Sequence, residues 1–166
     1  MQLSELTAMI SPADERAKLT AKMRWDSIAK PLGGLGLLEE AVIRIAGMTG
    51  SADVDLGRRA VIAMCAANGV VAQGVTQTGQ EVTAIVTENM SSGCTSVCRM
   101  ANVAGCEVIP VDIGVAVEVH GERIRQSCVR RGTADFTKGP AMTREEAERA
   151  IMTGAELVRE LHGKGY

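Results

Sequence analysis

The residues able to do chemistry in this sequence gather at four places. The first is the loop Lys30-Pro31-Leu32-Gly33-Gly34-Leu35-Gly36, which precedes a helix-like segment. Backbone N–H groups in such a position can face a phosphate, which makes Gly33, Gly34 and Gly36 phosphate or loop candidates. The loop lacks the Gly-Lys-Ser/Thr ending of a P-loop, and it follows a helix where a dinucleotide fingerprint follows a strand, so a tight helix-to-helix corner is the competing account. The second and third places, Ala67-Asn68-Gly69 and Asp112-Ile113-Gly114, each close an apolar run. In parallel sheets ligands collect at the carboxyl ends of strands, where such segments would lie. Asn68 either contacts a ligand or serves as the turn residue of an Asn-Gly pair. Asp112 either bonds a ribose or holds a neighbouring backbone amide. The fourth place is the stretch from Arg130 to Met142, dense in turn formers and carrying the single Phe. It is either a functional loop or a surface connection with two arginines in water.

The chain shows no Ser/His/Asp or Cys/His signature, and no general base declares itself. Cys94 and Cys98 are one helical turn apart, but two thiols are half a zinc site, and His120 and His162 are distant in sequence. These cysteines are expected to act as small hydrophobes, and no metal or other cofactor is implied.

With 166 residues the chain is sized for one compact domain. Its formal charge of −2 supplies no field to gather nucleic acid or an anionic membrane, and with aromatics at 2% there is no base-stacking platform. No run approaches the roughly 20 apolar residues that cross a bilayer. An odd count of five cysteines and a polar, amphipathic start point to free thiols in a cytoplasm.

The elements that would position these groups follow from periodicity and caps. Ser11, Pro12 and Asp14 read as an N-cap, a first-turn proline and a dipole-matching acid for a helix towards Ile28. After the glycine loop, Leu38, Ala41, Val42, Ile45 and Met48 share one face of a second helix. The apolar run Ala60–Ala66 fits a parallel strand covered on both faces. Glu81 to Asn102 is helical but broken at Ser91-Ser92-Gly93. Glu107–Gly114 is a second buried strand, weakened by Pro110, and 115–127 is a short hairpin or an irregular excursion. Thr143-Arg144-Glu145-Glu146 is a capping box, launching a helix whose Ala147, Ala150, Ile151, Gly154, Leu157, Val158 and Leu161 face inward, with Gly163 as its C-cap. The expected class is α/β: an incomplete parallel-sheet, Rossmann-like layer fold with an N-terminal helical segment. Residues 1–50 form that segment. Residues 51–166 form the first half of an α/β domain, to be completed by a C-terminal portion or a partner chain, because two strands do not make a sturdy sheet.

Five ordered motifs carry a resemblance: Lys30–Gly36 with Leu38-Glu39; Met64-Cys65-Ala66-Ala67-Asn68-Gly69-Val70; Gln80-Glu81-Val82-Thr83; Val111-Asp112-Ile113-Gly114; and Gly132-Thr133-Ala134-Asp135-Phe136 with Gly139-Pro140-Ala141-Met142-Thr143. Together they make the chain, from about Thr20 onward, resemble the amino-terminal half of the nicotinate-nucleotide:dimethylbenzimidazole phosphoribosyltransferases. The resemblance implies phosphoribosyl transfer in cobamide (vitamin B12) biosynthesis. A nitrogen of 5,6-dimethylbenzimidazole attacks the anomeric carbon of nicotinate mononucleotide, nicotinate leaves, and the linkage inverts from β to α. It implies no cofactor. Position by position, Thr78 falls where the family has a small hydroxyl residue near the acceptor base, Val86 where some members have a polar residue against the same ring, and Met90 close by; with Asn68 these are the substrate-binding candidates.

The chain also departs from the family pattern. Asp-His is replaced by Ala67-Asn68, and Val86 makes the wall less polar, which leaves open a purine, a simpler benzimidazole or a phenolic base as acceptor. The family's catalytic glutamate and phosphate loop lie downstream of Leu161, so no catalytic residue is expected in this chain and the chain alone is expected to be inactive. The implied partners are the two small-molecule substrates and either a second copy in a homodimer or a complementary C-terminal chain. A non-catalytic binding or regulatory subunit, and a remnant of a split gene, are the competing accounts.

Overall fold

The computed structural model describes residues 2–166 and divides into two compact units, residues 3–57 and 58–166.

The first unit is helical: α1 (Leu3–Ala8), α2 (Glu15–Ser27) and α3 (Leu37–Thr49). Helix α2 is capped by Asp14 and not by Ser11 as the proline pattern suggested; the Asp14 carboxylate accepts from the Ala17 amide at 2.9 Å, filling one of the orphan donors of the first turn. Ala17 and Ala21 on α2 and Ala46 and Gly47 on α3 are buried. A Cβ at Gly47 would sit 2.6 Å from the Lys18 side chain, so the small residues set the closeness of the two helices. The expected α3 stripe is not the packed one. Leu38 and Met48 are exposed, because the contact is made through short side chains one position away.

In the second unit β1 (Arg59–Ala66), β2 (Cys106–Gly114) and β3 (Arg125–Gln126) form a wholly parallel sheet in the order β1-β2-β3. Helices α4 (Glu81–Ser91) and α5 (Ser96–Val103) make the crossover from β1 to β2, the connection a parallel pair requires. They are separated at Gly93, whose φ of +77° takes the chain out of the helix. Of the two alternatives for 115–127, hairpin or irregular excursion, the structure has the excursion; it returns as β3, and the ladder continues as Ser127 and Val129 donate to the carbonyls of Asp112 and Ile113. Pro110 lies inside β2 and is fully buried. Since the Asp112 carbonyl faces β3, the Pro110 nitrogen two residues earlier faces the same side, at a level where β3 has not begun. No ladder donor is lost there.

The sheet has a core on each face. Cys65, Met90, Val115, Val119 and Ile124 pack on the α4 and α5 side, and Val111 packs with Leu157 and Leu161 of α6 (Arg144–Gly163) on the other. The capping box at Thr143 and Glu146 is formed as the sequence required. Helix α6 continues through Gly163 and is capped by Lys164, with Gly165 in the left-handed region at φ +81°. Ile151 and Val158, expected to face inward, are exposed; only Leu157 and Leu161 are in the buried core. Strand β1, expected to be covered on both faces, is buried only at Cys65 and exposes Met64, because it lies at the sheet edge with a strand on one side only.

Candidate functional site

At the carboxyl end of β1 the chain passes through Asn68 into a short 3-10 turn (Gly69–Gln73), then through Thr76–Gly79 to the start of α4. Between this segment, the strand end and one face of α4 lies a cavity of about 450 Å³. All four substrate-binding candidates, Asn68, Thr78, Val86 and Met90, line it. Asn68 and Thr78 form its solvent-exposed rim, while Met90 is buried beneath. Helix α4 adds Val82, Thr83 and Thr87, none of them among the substrate-binding candidates although Val82 and Thr83 belong to a motif of the resemblance and their spacing from Val86 and Met90 marks a single helical face. Met64 and Cys65 line it from the strand.

The lining is apolar side chains with scattered hydroxyl and amide groups. It contains no carboxylate, amine, guanidinium or imidazole, and Cys65 is its only ionisable side chain. Such a surface can seat a flat, uncharged ring and offer it hydrogen bonds. It offers no carboxylate or imidazole to take a proton from one. Gln80, the residue before α4, leaves the helix end uncapped and donates from Nε2 to the Asn68 carbonyl at 3.0 Å, which ties one rim of the cavity to the helix start.

Asp112 is fully buried at the end of β2. Its Oδ1 accepts from the Val115 amide at 2.8 Å and its Oδ2 from Arg131 at 2.7 Å. With both oxygens engaged the carboxylate organises the loop that follows and is not presented to a ligand. The charge on Arg131 is reinforced chiefly by that hydrogen bond, which holds the guanidinium pKa above its ordinary value.

The glycine loop is a tight turn between α2 and α3. Gly33 and Gly36 adopt φ of +64° and +55°. The Gly34 and Gly36 amides donate to the carbonyls of Pro31 and Gly33, and the Leu35 amide to Glu39 Oε1 at 2.9 Å. Glu39 is buried and paired with Lys30 at 2.8 Å; the Lys30 hydrogen bond, then the Leu35 amide, hold its carboxyl below the usual carboxylate range. Three of the loop's N–H groups are therefore already spent inside it.

A second hollow of about 460 Å³ lies along α6 beside the chain after β3, with Arg125, Cys128, Arg149 and Glu156 in its wall. Burial pushes the Cys128 thiol up, with the Asp112 charge adding to the effect. None of the candidate substrate-binding or loop residues named from the sequence lines it. Among the described residues, no cluster of His, Cys, Asp or Glu could hold a metal ion, and no helix is long and apolar enough to cross a membrane.

The phosphoribosyltransferase family model matches residues 10–166. The chain belongs to this phosphoribosyltransferase family. Its relatives include the nicotinate-nucleotide–dimethylbenzimidazole phosphoribosyltransferase of Clostridium tetani, 39% identical over 164 residues that make up 99% of this chain and 45% of that protein. The protein of the same name from Acetivibrio thermocellus is 44% identical over 142 residues, 86% of this chain and 40% of the relative. A solved structure of nicotinate-nucleotide-dimethylbenzimidazole phosphoribosyltransferase from Thermus thermophilus superposes with a TM-score of 0.82 at 39% identity, over 92% of this chain and 46% of the other. The chain thus spans less than half the length of these relatives.

Proposed function

We propose that this chain supplies the acceptor-base half of a nicotinate-nucleotide:dimethylbenzimidazole phosphoribosyltransferase. The observation that carries the reading is the convergence of Asn68, Thr78, Val86 and Met90, separated by up to a helix and two turns in sequence, on one apolar cavity at the carboxyl end of a parallel strand. In the proposed reaction a ring nitrogen of the acceptor forms a bond to the anomeric carbon of nicotinate mononucleotide on the face opposite nicotinate. The carbon–nitrogen bond to nicotinate breaks with both electrons leaving on nicotinate, and the acceptor N–H proton passes to a base.

This chain's part is to seat the acceptor ring and aim it, a contribution of proximity and orientation. The cavity's lack of a carboxylate supports a general base on another polypeptide segment. An apolar β1 left half-exposed at the sheet edge fits a sheet that such a segment completes, as a C-terminal portion, a complementary chain or a partner in a homodimer. The acceptor that suits this wall is dimethylbenzimidazole or a simpler benzimidazole, whose hydrocarbon edge faces Val82, Val86 and Met90. In the same reading Gly33, Gly34 and Gly36 serve the turn between helices, the compartment is the cytoplasm, where the chain's free cysteines stay reduced, and no nucleic acid is bound.

The test is to combine the purified chain with the carboxyl-terminal half of the Acetivibrio thermocellus relative and follow nicotinate release from nicotinate mononucleotide with dimethylbenzimidazole, benzimidazole, adenine and p-cresol. Release that requires both pieces and prefers the benzimidazoles is the expected result. Acceptor binding without release would favour a non-catalytic binding subunit, and failure of the chain to bind any acceptor would refute the cavity assignment.

A further inference from the structure

The segment Gly132–Phe136 stands out in the sequence, yet none of it lines the base cavity. We propose that Thr133 and Asp135 are positioning residues for that cavity, gripping the rim that carries Asn68; the proposal rests on the reading of the cavity as the acceptor site.

The rim has no regular helix or strand beyond a short 3-10 turn to hold it in place. Between the end of β1 and the start of α4 the chain forms a 3-10 turn and local bonds such as Thr76 Oγ1 to the Thr78 carbonyl, with the Ala67 amide on the Gly114 carbonyl at 3.0 Å and Gln80 on the Asn68 carbonyl at its two ends. Thr133 grips both neighbours of Asn68: its amide donates to the Ala67 carbonyl at 3.0 Å, and its hydroxyl accepts from the Gly69 amide at 3.1 Å. Further along, Gln73 Nε2 donates to Asp135 Oδ2 at 2.6 Å. The Thr137 amide and hydroxyl hold Asp135 Oδ1 at 3.0 and 2.7 Å, so the carboxylate is oriented before Gln73 reaches it. The two backbones are in contact as well. A Cβ at Gly69 would lie 2.5 Å from the Thr133 carbonyl oxygen and 2.7 Å from the Asp135 nitrogen, an approach that only glycine permits.

The gripping loop is itself anchored. The Gly132 amide donates to the Gly114 carbonyl at 3.1 Å, the Ala134 amide to Ala141 at 2.8 Å, and Arg130 pairs with Glu146 of α6 at 3.1 Å. The Asn68 rim is thus referred to the sheet and to α6 through Thr133 and Asp135. A transfer reaction needs the attacking nitrogen placed to within a fraction of an ångström, and a loop rim reaches that precision only through such bonds.

The experiment uses the full 166-residue chain. Residue-resolved amide hydrogen exchange is measured for wild type, Thr133→Val, Thr133→Ser and Gln73→Leu, together with the affinity for 5,6-dimethylbenzimidazole. Gln73 is exposed, so its replacement leaves the fold intact even where Thr133→Val does not. Loss of one hydrogen bond should speed exchange at Gly69 in Thr133→Val, and around Gly74 in Gln73→Leu, by roughly tenfold or more, with the amides of Val111 and Leu157 unchanged, affinity for the base reduced, and Thr133→Ser restoring both. Uniform acceleration throughout residues 58–166, or none at the rim, overturns the proposal. Selective acceleration with unchanged base affinity also overturns it while leaving the cavity assignment standing. If the wild-type chain binds no base, the acceptor reading fails and the positioning proposal fails with it; the exchange data would then report a structural strap only.

Discussion

Replacing Arg131 by methionine should cost the second unit about 2–3 kcal/mol of unfolding free energy, out of the roughly 5–15 kcal/mol typical of a domain. Methionine keeps the length of the side chain and removes the guanidinium. Asp112 Oδ2 then loses its 2.7 Å partner while the residue remains fully buried, and the Val117 carbonyl loses a donor at 3.1 Å. Breaking a buried ion pair by deleting one partner typically costs roughly 3–5 kcal/mol, but the Arg131 side chain is 42% exposed, so water replaces part of what it gave. A charge-assisted hydrogen bond alone is worth about 1.5–3 kcal/mol, and the lower range follows from that exposure. Urea unfolding read by far-UV circular dichroism is the assay. Tryptophan fluorescence is unsuited, because Trp25 belongs to the helical unit of residues 3–57. The companion variant Asp112→Asn retains an acceptor for the Val115 amide, and in the double variant the two costs should fall short of additivity by roughly 1 kcal/mol or more. Additive costs, or a change within about 0.5 kcal/mol for Arg131→Met, would refute the account of Asp112 as a buried carboxylate held by one guanidinium.

Gly69→Ala should destabilise the second unit by roughly 1–3 kcal/mol and weaken dimethylbenzimidazole binding, because the added methyl meets backbone atoms of Thr133, Ala134 and Asp135 that no rotamer change can clear; calorimetry of both quantities on one preparation checks it. Thr143→Ala removes the hydroxyl that accepts from the Glu146 amide and should cost about 1 kcal/mol, visible as a lower urea midpoint with an unchanged slope. Glu146 is held below the usual carboxylate range first by the Thr143 amide and also by Arg130. Since its folded value is depressed, its contribution is complete above the unfolded pKa of about 4.3 and is lost as pH falls through the lower folded value. Glu146→Gln should therefore flatten the acid limb of the stability curve below about pH 4.3 and change nothing in its shape above it; an unaltered acid limb would contradict the assignment. Val86→Gln should raise the affinity for adenine relative to dimethylbenzimidazole, since it places an amide on an otherwise hydrocarbon stretch of the cavity wall; competition binding of the two bases decides.

The parts of the fold legible in the sequence were those governed by contacts close along the chain. The capping box at Thr143 needs only residues three apart, and the break at Gly93 needs only one residue in a left-handed conformation. Burial was read less well, because a hydrophobic stripe says which face of an element is apolar and not what lies opposite. Helix α3 buries Ala46 and Gly47 and leaves Leu38 and Met48 outside, and β1, with the composition of a central strand, stands at an edge. In both, an element built to be covered is covered only in part by the residues of this chain.

The site divides along the same line. The resemblance supplied Thr78, Val86 and Met90, the last two sharing a helical face through a spacing of four, and Asn68 was legible from its place at the end of an apolar run; the structure brings all four to the same cavity. The contacts that hold Asn68 could not be read this way. Gly69 and Thr133 are 64 positions apart, as nearly are Gln73 and Asp135, and a threonine hydroxyl or an aspartate in a turn-rich loop carries no mark of its distant partner. The two readings of Asn68, turn residue and ligand contact, do not exclude each other. Its backbone is the start of a turn held from two sides, by Gln80 on its own carbonyl and by Thr133 on its neighbours. That engagement of the backbone is what fixes its side chain on the cavity rim, so the structural role is the means by which the residue can serve a binding one.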